Sequence, residues 1–77
     1  MEYEKRYLHK LESQDPNRNR PTPSEVIEFI DNTYPEFKGL CYYNKEKKCL
    51  ESKDKEKVVF IFNGMWGVLE VYVNPEI

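Results

Sequence analysis

The chain has 77 residues, a formal net charge of −2 and a charged fraction of 34%. Those values describe one small domain, without a global pull toward nucleic acid or an acidic membrane surface. No apolar run approaches the roughly 20 residues of a membrane span, and the opening MEYEKRYLHKLE lacks the apolar stretch of a secretory signal. The expected compartment is therefore the reducing cytoplasm, where disulfides are rare. Alanine is absent while Lys, Glu, Asn and Tyr are frequent. An AT-rich coding sequence would produce that bias, which is compatible with a virus or mobile-element accessory protein.

Residues 2–13 are expected to form a first helix, because Tyr3, Tyr7, Leu8 and Leu11 recur at helical spacing. Glu2 and Glu4 precede Lys5, Arg6, His9 and Lys10, the order that suits a helix dipole. Residues 14–21, QDPNRNRP, read as a polar linker that no regular element crosses. In Thr22-Pro23-Ser24-Glu25, a threonine suits the N-cap, a proline the first helical position and a glutamate the capping box. A second helix therefore runs from Pro23 to Asn32 or Thr33, burying Val26, Ile27 and Ile30, and Tyr34-Pro35 ends it.

Gly39 opens a strand over residues 40–44. The stretch Lys45–Lys57 mixes basic and acidic residues, with Cys49 and Leu50 continuing a short edge strand and Ser52–Lys55 forming a turn. Charges on an exposed strand discourage edge-to-edge pairing. The last element, KVVFIFNGMWGVLEVYVN over Lys57–Asn74, reads as a hairpin around Asn63-Gly64. The expected fold is α+β in a single domain over residues 1–77. Two N-terminal helices pack on one face of a three- or four-stranded antiparallel sheet, in the order ααβββ.

Side chains alternate across a strand, so any connection of even length sorts the hairpin in the same way. One face carries Val58, Phe60, Phe62, Leu69, Val71 and Val73, is wholly apolar, and should receive the helices. The other carries Val59, Ile61, Trp66, Val68, Glu70 and Tyr72. Core, closed by the chain's own aromatics, is the ordinary outcome for such a face. Glu70 favours exposure, because an unpaired carboxylate is costly to bury, and tryptophan and tyrosine are enriched at binding hot spots. Ile61, Trp66, Val68 and Tyr72 are therefore the candidate contact residues, with Trp66 as anchor.

Other constellations carry less. Cys41 and Cys49 would lie opposite each other across a three-residue loop, yet the compartment favours two separately packed thiols. Two cysteines and a distant His9 do not make a zinc site, and His9 reads as a solvated residue. No nucleophile elbow, phosphate loop or metalloprotease motif is present, so neither catalysis nor a cofactor is expected. Glu25, Glu28 and Asp31 form an acidic stripe along the second helix, ordinarily a solvated face, with docking of a basic partner as its secondary reading.

The function expected is non-catalytic protein binding by a small inhibitor, adaptor or regulator, to a second copy of itself or to a larger target. The alternative is a nucleic-acid-binding accessory protein. It would use Lys5, Arg6, Lys10, Arg18 and Arg20, with Tyr3 and Tyr7 as stacking groups. The sequence pI of about 5.4 argues against it.

Overall fold

The computed structural model describes residues 3–75. The elements are β1 (Glu4–Lys10), α1 (Pro23–Thr33), a 3-10 turn (Pro35–Phe37), β2 (Cys41–Asn44), β3 (Cys49–Ser52), β4 (Val58–Asn63) and β5 (Val68–Val73). The helix forms where the capping chemistry places it. Thr22 Oγ1 accepts from the Glu25 amide at 3.3 Å, and Pro23 occupies the first turn, where its missing donor costs nothing. The Tyr34 amide closes the last turn on the Ile30 carbonyl at 2.8 Å, and Pro35 begins the 3-10 turn.

The first segment corrects the expected order. Residues 4–10 form a strand, so the architecture is one strand, one helix and then four strands in two sheets, in place of two helices ahead of the sheet. Glu2, also assigned to that first helix, lies outside the described residues. The physical reason is non-local. β5 is the central strand of a three-stranded sheet in the order β1-β5-β4, and its second edge needs a partner for its backbone groups. β1 supplies it antiparallel, with Tyr7 opposite Val71 and His9 opposite Leu69. The apolar spacing that suggested a helix also fits a strand, with Tyr7, His9 and Leu11 pointing to one side. β1 is an edge strand, and it carries two of the devices that protect edges: charged side chains and a register shift around Arg6.

The final hairpin keeps the expected sorting with a different turn. Val58 pairs with Val73 and Asn63 with Val68, leaving the four-residue loop Gly64, Met65, Trp66 and Gly67. The left-handed residue is Gly67, at φ 68°, so Asn63-Gly64 is not the centre of a tight turn. A Cβ on Gly67 would stand 2.6 Å from the Leu11 carbonyl oxygen, and the Leu11 amide donates to the Gly67 carbonyl at 2.7 Å. The tip is thereby fastened to the end of β1.

The core lies between the inner sheet face and a layer made of α1, the 3-10 turn and the β2–β3 hairpin. Val58, Phe60, Leu69, Val71 and Val73 meet Val26, Ile30, Tyr34, Phe37, Cys41 and Leu50. Tyr7 stacks on Tyr34 with centroids 4.4 Å apart, and Phe37 meets Phe60 edge-on at 6.2 Å. His9 is not a solvated residue. It is half-buried, edge-on to Phe29 at 4.9 Å, and hydrogen-bonded through Nε2 to the Tyr34 hydroxyl. Every buried side-chain nitrogen and oxygen among the described residues has a partner.

Candidate functional site

Among the described residues no helix packs over the outer face of the three-stranded sheet. Reading across the ladder gives three rows: Lys5, Tyr72 and Val59; Leu8, Glu70 and Ile61; Lys10, Val68 and Asn63. Leu8 is 57% exposed and Ile61 49%, while Val59, Val68 and Tyr72 are half-buried against their neighbours. Trp66 stands at the end of this face in the β4–β5 loop, 68% exposed, beside Met65 at 66%. Together with Ile61, Asn63, Val68 and Glu70 it lines a shallow hollow of about 260 Å³. Ile61, Trp66 and Val68 thus share one depression. Tyr72 lies further along β5, on the far side of Glu70.

Glu70 sits in the middle row and its charge is shared locally. The Tyr72 hydroxyl donates to its Oε2 at 2.8 Å, and Lys5 Nζ lies 3.6 Å from its Oε1. The hydrogen bond to Glu70, with some loss of solvent, pushes the Tyr72 phenol above its ordinary value. Glu70 therefore does not need burial or a partner's cation to be satisfied. Lys5, Leu8 and Lys10 belong to this face and were missed in the sequence because their segment fits a helical stripe. The alternation of Tyr7, Leu8, His9, Lys10 and Leu11 is the signal that could have found them.

The acidic stripe on α1 does not act as one surface. Glu25 accepts from the Gln14 amide at 3.0 Å and lies 3.7 Å from Arg18, so it holds the 14–18 linker against the helix. Asp31 accepts from the Gly39 amide at 3.1 Å and supports the turn into β2. Of the three, Glu28 alone is exposed, while Glu25 and Asp31 are half-buried.

The basic strip is likewise dispersed. Arg6 pairs with Glu4 at 3.2 Å, Lys5 with Glu70, and Arg18 with Asp15 at 3.4 Å. Tyr7 is turned inward onto Tyr34, and the Tyr3 hydroxyl donates to the Lys55 carbonyl. In the charged stretch, Lys47 and Lys55 converge on Glu51 at 3.4 and 3.8 Å, and Tyr42 donates to Glu51 at 2.9 Å. Those contacts, the Tyr42 hydrogen bond first, hold the Glu51 carboxyl below its ordinary value.

The cysteines are not opposed. Cys41 pairs in register with Ser52 and Cys49 with Asn44, because the connecting loop spans the four residues 45–48, where a three-residue loop over 44–46 would have aligned them. Both thiols are free, Cys41 buried and Cys49 exposed. Burial, with Asp31 nearby, pushes the Cys41 thiol up to about 12, which leaves it protonated and unreactive.

Among the described residues no group of three or more His, Cys, Asp and Glu side chains converges as a metal site would require, and no helix is long and apolar enough to cross a membrane. Comparison with protein-family models, with curated proteins and with solved structures returned no match.

Proposed function

We propose that this protein is a non-catalytic binding module that engages another protein through the outer face of its three-stranded sheet and the tip of the β4–β5 hairpin. The observation that carries this reading is the open row of Leu8 and Ile61 leading to an exposed Trp66. Leu8 and Ile61 flank Glu70 on this face. Large apolar side chains left exposed together on a small domain favour an interaction site, and tryptophan concentrates binding energy. Ile61, Trp66 and Val68 form the anchor, with Tyr72 at the opposite end of the face. The partner is a larger target or a second copy of the chain. An inhibitor, adaptor or regulator fits a site without reactive groups, and a virus or mobile-element origin fits the composition.

Nucleic acid is the weaker alternative. Three of the five strip cations, Lys5, Arg6 and Arg18, are already paired with carboxylates, and one of the two proposed stacking tyrosines faces inward.

The test combines light scattering with affinity capture from the natural host, using wild type and Trp66→Ala. Loss of a stable complex, or of self-association, in the variant is the expected result. Truncating a hot-spot anchor costs about 2 kcal/mol or more, roughly a thirtyfold loss of affinity. A complex that forms equally well with Trp66→Ala would overturn the reading.

A further inference from the structure

On the other side of the same hairpin tip lies a second concavity. β3 and β4 run near each other yet belong to different sheets. The gap is a groove of about 440 Å³ with Pro21, Tyr43, Leu50, Phe62 and Met65 in its walls. Arg20 and Lys48 stand on its rim, and no acidic residue lines it. That absence is informative in a chain whose 14 Asp and Glu residues outnumber its 12 Lys and Arg. Neither Arg20 nor Lys48 makes an ion pair among the described residues, so no carboxylate of the chain competes for them at the groove. Lys48 ends the β2–β3 loop in the left-handed region, at φ 55°.

We infer that this groove binds an acidic, apolar peptide segment of the partner, seating an aliphatic or aromatic side chain against Leu50 and Phe62 and its carboxylates on Arg20 and Lys48. The inference rests on the binding-module reading and adds the chemistry of the partner to it. An uncompensated pair of cations beside an apolar cleft selects its complement. Met65 lines the groove while its neighbour Trp66 lines the outer hollow, so one partner can grip both sides of the tip. A nucleic acid fits less well. Two unpaired cations supply about two phosphate contacts, too few for a strong backbone-driven interaction.

Cys49 provides a local reporter, because it also lines the groove and is exposed, whereas Cys41 is buried. A random peptide library displayed on phage is selected on the wild-type protein, and the enriched peptides are synthesised. The expected winners place Asp or Glu beside Leu, Ile or Phe. They slow alkylation of Cys49 by iodoacetamide, and they bind roughly 10- to 100-fold more weakly to Arg20→Gln/Lys48→Gln, the range that loss of charged hydrogen bonds gives. Both substituted residues are exposed, and an unchanged circular dichroism melt verifies that the double variant folds. Trp66→Ala leaves Cys49 protection in place. Winners that require Trp66, lack acidic residues and leave Cys49 reactive would overturn the groove and spare the outer-face reading. Winners indifferent to Trp66, Arg20 and Lys48 alike would overturn both. No enrichment, or Cys49 protection by oligo-dT in preference to peptides, would overturn the groove proposal.

Discussion

Val71 and Glu70 are adjacent on β5 and live in different environments. Val71 is fully buried, with Tyr7 and Phe60 beside it in the ladder and the helical layer above. Glu70 faces outward between Leu8 and Ile61, both about half exposed, with only Lys5 and the Tyr72 hydroxyl as polar company. The two faces share strands and register, and both carry large apolar side chains, although Lys5, Lys10, Asn63 and Glu70 make the outer one more polar. What separates them is cover. α1 has 11 residues, roughly 16 Å at 1.5 Å per residue, and together with the β2–β3 hairpin it is spent on the inner face. Because the N-terminal segment became the third strand, it widened the outer face instead of roofing it. The contrast teaches that the same alternation encodes a core on the covered side and an available surface on the other.

Substitutions should break the symmetry between the faces, and the largest effect belongs inside. Leu69→Ala removes a fully buried side chain and should cost about 2–5 kcal/mol, read as a fall in the denaturation midpoint in urea. The hairpin tip comes next. Gly67→Ala forces a side chain into the left-handed region and into the Leu11 carbonyl oxygen, so a loss of about 1–3 kcal/mol is expected. It should also loosen Trp66, because the same contact fixes the loop.

Alkaline pH is a gentler, continuous probe. Burial raises the Tyr34 phenol above 10.0 and the Cys41 thiol from 9.0 to about 12. Groups held protonated by the fold contribute stability that is complete below their unfolded values and lost as pH rises through the folded ones. The thermal midpoint should therefore decline from about pH 9 upward, and Cys41→Ser should flatten part of that decline. The smallest effect belongs outside. Ile61→Ala should change stability by no more than about 0.5 kcal/mol, while weakening partner binding.

Much of this was legible in the chain where local chemistry decides. Thr22, Pro23 and Glu25 specify the start of α1, and Tyr34-Pro35 its end, without help from the rest of the molecule. The two faces of the last hairpin could be sorted because the four-residue loop is even, although its critical glycine is Gly67 and not Gly64. β1 was not legible because Tyr7 and Leu11, four residues apart, satisfy both a helical and an alternating period, and the deciding factor is the vacant edge of β5 at the far end of the chain. The candidate face was visible as Ile61, Trp66, Val68 and Tyr72. Its Lys5, Leu8 and Lys10 column was hidden with β1. The groove at Arg20 and Lys48 brings together residues from the 20–23 segment, the β2–β3 hairpin and the β4–β5 hairpin, which no spacing along the sequence encodes.

The most direct test of the central claim uses the fact that Trp66 is the sole tryptophan. Its fluorescence, measured on serial dilution with acrylamide as quencher, reports whether the chain covers its own outer face. Solvent-exposed emission with free quenching in the dilute protein is the expected result. Blue-shifted emission shielded from acrylamide at every dilution would contradict it, because the chain would then be closing that face over itself.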